Sequence, residues 1–245
     1  MKYGIKGLLR KAGVEAQRYS VHTSSGAQLN RLLNHVGIDL VIDVGANAGH
    51  YASELRANGY RGRIVSFEPL ADAHARLERA ARADPNWQVA PRMALGDADG
   101  ETTIQVAGNS LSSSILDMLP AHESAAPGSA YVARQTVALR RLDHVAGEFL
   151  MDARRALLKV DTQGYEDRVL AGAQGVLGHF AAIQSELSLV PLYADQPLFD
   201  AMRARIEGLG FVLFAVFPGY VHERTGQTLQ VDGFFVRAEL IAGAS

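Results

Sequence analysis

The residues best placed to do chemistry in this chain are carboxylates at the ends of apolar runs. Asp43 belongs to the segment Asp43-Val44-Gly45-Ala46-Asn47-Ala48-Gly49, which follows directly on Leu40-Val41-Ile42. Glu68 ends the next such run in Ser66-Phe67-Glu68-Pro69, where Pro69 stops the extended pattern. Asp161 and Glu186 end two later runs, and Glu166 follows Asp161 just inside a helical pattern. Acids in these places can accept hydrogen bonds from ligand hydroxyls or offset a cationic ligand. Grouped together, such oxygens also suit a hard cation such as Mg²⁺, and Asp161, Glu186 and Glu166 form the prospective set. Glu166 has a second reading, as a helix N-terminal acid stabilised by the macrodipole.

Gly45 lacks a Cβ, so the chain can turn tightly there and approach a ligand, and Gly49 sits where the next helix must pack on the strand. In an open parallel sheet, ligands bind outside the carboxyl ends of the strands, where this loop lies. A dinucleotide site uses G-x-G-x-x-G and seats a pyrophosphate on a helix N-terminus. The spacing here differs, and Asp43 would repel a phosphate. S-adenosylmethionine (SAM) carries an ammonium and a sulfonium but no phosphate, so Asp43 favours SAM over NAD. Glu68 then serves either as an acceptor for both ribose hydroxyls or as a cap for the following helix.

Other candidates carry two readings each. Lys159 is a catalytic lysine or a buried partner for one of the acids. His222 lies in the last hairpin loop, within reach of an acceptor. None of the eight histidines has metal-ligand spacing, and His50 reads as a bystander at a helix start. Leu111-Ser112-Ser113-Ser114-Ile115 either hydrogen-bonds a polyhydroxylated acceptor or is a solvated loop.

The elements that must position these groups alternate. Strand patterns at residues 40–44, 64–67, 87–93, 156–161 and 182–187 are separated by helical patterns at 70–83, 166–177 and 197–209, which implies a parallel sheet covered by helices on both faces. Residues 211–217 and 229–237 are strands joined through Pro218, Gly219 and Gly226 with no helix, so that pair is antiparallel. Residues 99–143 break the rhythm: a strand at 102–106 precedes a long Ser-, Ala-, Gly- and Pro-rich stretch of the kind that forms lids. Residues 1–36 read as an amphipathic helical cap, with Ile5, Leu8, Leu9 and Val14 opposite Lys2, Lys6, Arg10 and Lys11. Such a helix packs on the domain or rests on a membrane surface. Residues 37–245 then form one domain.

Composition limits the partners. The chain has 245 residues, 48% of them hydrophobic, enough for a full core without cross-links. With 24 Lys+Arg against 26 Asp+Glu it lacks the basic excess of a phosphate-gripping protein, so nucleic acid is disfavoured. The absence of cysteine excludes a thiol nucleophile and a thiolate metal site. No apolar run approaches the ~20 residues needed to span a bilayer, and no secretory signal pattern follows the basic N-terminus. The expectation is a cytoplasmic protein.

Taken in order, five blocks resemble the FkbM-type methyltransferases, a family of SAM-dependent O-methyltransferases. They are Asp43 to Gly49, Phe67-Glu68-Pro69, Ala94-Leu95-Gly96-Asp97, Leu158-Lys159-Val160-Asp161-Thr162-Gln163-Gly164-Tyr165-Glu166, and Gly210-Phe211. Gln163 departs from the family's usual Glu. The resemblance implies a Rossmann-like class I methyltransferase fold, a mostly parallel seven-stranded sheet with an antiparallel C-terminal hairpin. It implies that the loop from Asp43 through Gly45, Ala46, Asn47 and Gly49 holds the methionine end of SAM, that Glu68 and Pro69 serve the ribose, and that Ala94, Leu95 and Asp97 lie by the adenine. Asp161 stands between cofactor and acceptor. Acceptors in the family are hydroxyls of sugars, glycolipids or polyketide-type natural products. Asp161, Glu186, Lys159 and His222 are the catalytic candidates. A SAM-binding regulatory or interaction protein without catalysis is the alternative.

Overall fold

The computed structural model describes residue 7, residues 9–126 and residues 128–242. Two sheets form among them. The larger has seven strands in the order β3-β2-β1-β7-β8-β10-β9: β1 is Leu40–Val44, β2 Arg63–Phe67, β3 Trp87–Val89, β7 Ala156–Val160, β8 Phe180–Ser188, β9 Phe211–Pro218 and β10 Gln230–Arg237. β1 pairs in parallel with β2 and β7, and β7 with β8, whereas β10 lies antiparallel between β8 and β9. This is the mostly parallel seven-stranded sheet with an antiparallel C-terminal hairpin that the sequence implies.

The alternation along β1 explains the two cores. Leu40, Ile42 and Val44 face a cluster completed by Leu142, Phe149, Val169, Leu170 and Ile206, from helices Leu142–Val145, Gly147–Leu150, Glu166–Gly172 and Phe199–Gly208. Val41 faces the other way, with Leu33, Val36, Leu55 and Leu77 from helices Ser25–Val36, His50–Ala57 and Ala71–Ala81. Burying apolar side chains on both faces of a sheet yields three layers. Asp43 shares the second face with Val41, so a charge enters the core and must find a partner.

Three expectations need correction. Residues 87–93 are not one strand: β3 stops at Val89, and Ala94–Leu95 (β4) joins a second sheet instead. Residues 99–143 are not mainly loop. Gly100–Ala107 (β5) pairs antiparallel with Tyr131–Arg140 (β6), and the order β4-β6-β5 makes a three-stranded sheet against Leu70 and Ala73. Nor is the N-terminal region helical throughout. Residues 14–19 have no regular structure, and the helix Ser25–Val36 is separate, opened by Ser24, whose hydroxyl accepts from Ala27 N, and closed by Gly37. Lys2, Ile5, Lys6 and Leu8 lie outside the described residues. Among the described residues, no helix is long and apolar enough to cross a membrane.

Candidate active site

A cavity of about 370 Å³ opens at the carboxyl ends of β1, β2, β7 and β8, in the size range of small-molecule sites. The loop after β1 forms one wall. Its shape depends on Gly45, at φ 78°, where a Cβ would lie 1.8 Å from the Asp161 carbonyl oxygen. The loops after β1 and β7 are thereby pressed together, backbone on backbone. Asn47 follows at φ 47°, a conformation asparagine tolerates better than most side chains.

Glu68 fixes that wall. One carboxylate oxygen accepts from Asn47 N and the other from Leu70 N, both at 2.8 Å. Glu68 thus braces the start of the helix that follows and also lines the cavity. Burial raises its pKa, and the two amides act against that rise.

The opposite wall is made by the loop after β7. Asp161 accepts from Gln163 Nε2 at 2.8 Å, and the same amide reaches Glu186 at 3.2 Å. Gln230 of β10 donates to Glu186 at 2.6 Å. Tyr193 Oη donates to Gln163 Oε1 at 2.9 Å and to Ser112 O at 3.2 Å. Gln163 itself sits at φ 55°, so the turn aims its amide between the two acids. Burial pushes the Glu186 carboxyl well above the usual carboxylate range, aided by Asp161, Glu166 and Asp232 and opposed by Lys159.

The roof comes from residues 109–115. Asn109 Oδ1 accepts from Ser112 N, a local turn that folds the serine run over the cavity, and Asn47 Nδ2 donates to Ser110 O. His122, on the short helix Pro120–Ala125, contacts Ser112 Oγ at 2.9 Å through Nε2. Burial lowers its pKa.

The candidates from sequence fall into two groups. Gly45, Asn47, Glu68, Pro69, Ala94, Leu95, Asp161 and Glu186 line the cavity. Asp43, Ala46, Gly49, Asp97, Lys159, Glu166 and His222 do not. Asp43 is fully buried beneath the loop, 3.1 Å from Lys159 Nζ, and Ser66 Oγ donates to it. Lys159 also lies 3.6 Å from Asp161 and over the Tyr51 ring. Burial alone would lower the lysine's pKa, but Asp43 and Asp161 outweigh it and hold the cation. Lys159 is thus buried between Asp43, a partner the sequence did not suggest, and Asp161. Ala46 packs in the core, and Gly49 meets Trp87 and Leu77. Asp97 faces Arg168 at 2.8 Å, and His222 Nδ1 accepts from Arg224 N within its own hairpin loop.

The Mg²⁺ set does not fit. Glu166 is buried with one oxygen turned to Thr162 N and Gly164 N, at 2.7 and 3.1 Å. Glu186 receives two amide donors, and the Lys159 ammonium already stands beside Asp161. The three acids are thus engaged separately by amide donors and by Lys159, rather than gathered as the oxygen cluster a hard cation needs. Among the described residues no group of three or more His, Asp or Glu is disposed to hold an ion.

Sequence reading gave no role to Gln163, His122, Tyr193, Tyr220 or Gln230, all of which the structure brings to the cavity or its edge. Pro120 marks the start of the helix that carries His122, but nothing in the sequence marks the histidine itself. The others are joined only by tertiary structure.

An alignment of 161 positions that covers 54% of this chain is 32% identical to the AMB antimetabolite synthetase AmbE of Pseudomonas aeruginosa, and spans 8% of that much longer protein. Among solved structures, magnesium protoporphyrin IX methyltransferase (ChlM) of Synechocystis PCC 6803 with bound SAM aligns at TM-score 0.47 and 11% identity, over 97% of each chain. The methyltransferase domain of bacterial CtHen1 aligns at TM-score 0.47 and 10% identity, over 89% of this chain and all of that one. The methyltransferase FkbM domain matches residues 43–213, a span that holds both loops and both cavity walls, and the chain belongs to that family.

Proposed function

We propose that this protein transfers a methyl group from SAM to a hydroxyl of a neutral acceptor, of the sugar, glycolipid or natural-product kind. The family carries SAM-dependent methylation; the acceptor and the roles below are our reading. The observation that carries it is one cavity with Glu68 on one wall and the Asp161–Gln163–Glu186 network on the other.

The residues suit the cofactor. Glu68 keeps its carboxylate at the cavity although both oxygens already accept an amide, and each oxygen has a further lone pair for a ribose hydroxyl. Ala94 and Leu95 offer an apolar surface to adenine. Asp161, half-exposed beside Gly45, is the acid available to the cationic end, since Asp43 is matched by Lys159. This reassigns to Asp161 the part that sequence reading gave Asp43. SAM supplies, when bound, a methyl group on a sulfonium.

Methyl transfer discharges the sulfonium, so the protein gains little by binding the cation more tightly in the transition state. What it can supply is alignment of the acceptor oxygen and a route for its proton. Asp161 and Glu186 stand where that oxygen must enter. Gln163 and Gln230 donate to these acids and hold them in place without adding charge. Asp161 can take the proton of the hydroxyl that receives the methyl group, as the O–C bond forms and the C–S bond breaks, while Glu186, which burial favours in its protonated form, can donate to a neighbouring acceptor oxygen.

The test is transfer of labelled methyl from SAM to a panel of neutral glycosides and hydroxylated natural products, with S-adenosylhomocysteine (SAH) counted against methyl ether. Stoichiometric SAH and O-methyl product supports the reading. Labelled product only on nitrogen or carbon acceptors would overturn it.

A further inference from the structure

Two residues that line the cavity under residues 109–115 each carry a buried polar atom with no partner. His122 Nδ1 and Tyr220 Oη are both buried and unbonded among the described residues, and both residues line the cavity. Orphaned polar atoms in a core cost stability, so a pair of them on one cavity calls for a cause. Their rings are neighbours: His122 lies 5.1 Å from the Tyr193 ring and 6.0 Å from that of Tyr220, centroid to centroid. Ser112 and Tyr193 then connect this end to Gln163 and the acids, through hydrogen bonds of 2.9 to 3.2 Å.

We propose that His122 and Tyr220 form the subsite that binds the acceptor's ring, through a pair of neighbouring hydroxyls. This rests on the reading of the cavity as the site of methyl transfer. Three features select a hydroxylated ring. The orphan atoms belong to uncharged groups, so an ionic ligand finds no counter-charge here. A hydroxyl can donate or accept, and so satisfies His122 Nδ1 in either tautomer as well as a phenol. The ring of Tyr220, which lines the cavity, gives a ligand ring an apolar surface beside those polar contacts. The serine run, which sequence reading left between an acceptor contact and a solvated loop, then acts through Ser112, whose Oγ fixes the far side of the imidazole. His122 is an acceptor-binding residue; Ser112 and Tyr193 position it.

The experiment uses methyl β-glucopyranoside as the probe, titrated by saturation-transfer NMR into the full chain with and without saturating SAH. Tyr220→Phe removes one orphan hydroxyl and His122→Gln replaces the imidazole. We expect saturable binding to the wild type and at least fivefold weaker binding to each variant. SAH affinity should stay within twofold, and Tyr220→Phe should melt no lower than the wild type. That last outcome separates ligand binding from a structural role, because a structural hydroxyl lowers the melting temperature when lost. Absence of binding to the wild type, equal binding by Tyr220→Phe, or a tenfold loss of SAH affinity in both variants would overturn the subsite. Failure of SAH to bind the wild type would count against SAM instead, and the probe titration on the ligand-free protein would still decide the subsite.

Discussion

Glu68 and Glu166 use the same device to different ends. Each is a buried carboxylate that accepts two backbone N–H groups at the carboxyl edge of the sheet, Glu68 from Asn47 in the loop after β1 and from nearby Leu70, Glu166 from Thr162 and Gly164. Each loop contains a non-glycine residue in the left-handed region, Asn47 at φ 47° and Gln163 at φ 55°. Glu166 is close in sequence to the loop it ties and turns away from the cavity, with its pKa pushed up to about 7 by burial. Glu68 reaches across from β2 to the loop after β1, and its carboxylate stays at the cavity wall. A local carboxylate closes a turn on itself, whereas one from a neighbouring strand leaves an edge open to a ligand. Hydrogen-bond partners alone do not separate a structural acid from a ligand-binding one.

Removal of the two acids should separate stability from binding. Glu166→Ala leaves Thr162 N and Gly164 N without their acceptor, and should cost about 3 kcal/mol of stability. In a chain of this size that is roughly 6–12 °C in melting temperature. SAH affinity should change less than threefold. Glu68→Ala should show the reverse emphasis, losing about 1–3 kcal/mol of SAH binding, as measured by calorimetry. If Glu166→Ala weakens SAH as much as Glu68→Ala does, the distinction drawn between them is wrong.

A pH series sharpens the same point. The Glu166 carboxyl titrates near 7 and that of Asp232 near 6, both raised chiefly by burial. A carboxyl whose folded pKa exceeds its unfolded value binds protons more tightly when folded. Its contribution to stability is complete below about pH 4 and is lost as the pH rises through 6 and 7. Urea unfolding should therefore give a lower free energy at pH 8 than at pH 5, by on the order of 2 kcal/mol. Asp39, Asp84, Asp99 and Asp143 are held below the usual range and stay ionised throughout that window, so they do not mask the slope. Glu166→Gln should flatten it, and a slope of opposite sign would contradict the burial of these acids.

The smallest effect belongs to Asp97. Its partner Arg168 is exposed, and screened surface pairs contribute little. Asp97→Ala should leave SAH affinity within twofold and the melting temperature within about 2 °C. A tenfold loss of affinity would restore Asp97 to the adenine site that the family resemblance implied.

The parts legible in the sequence were those where local pattern and tertiary role coincide. β1, β7 and β8 are apolar runs ended by acids, and the Asp43–Gly49 loop carries its glycines at fixed offsets. β6 went unseen because Tyr131–Arg140 is a mostly exposed strand next to a Ser- and Gly-rich stretch, with Val137 and Leu139 alone fully buried. Asp43 was read as a ligand contact because its position at a strand end is all the sequence shows. Its alternation onto the face of Lys159 becomes visible only from the register of β1 against β7, where Asp43 pairs with Lys159. The acceptor end was least legible. Gln163, Tyr193, Gln230 and His122 come from four separate segments, and no spacing rule joins them.

The most direct test of the central claim is a crystal structure with SAH bound. The account predicts SAH in the cavity between the two loops, with its ribose hydroxyls about 2.6–3.2 Å from the Glu68 carboxylate and its sulfur toward Asp161 and Glu186. SAH bound elsewhere, or in this cavity with no contact to Glu68, would contradict it.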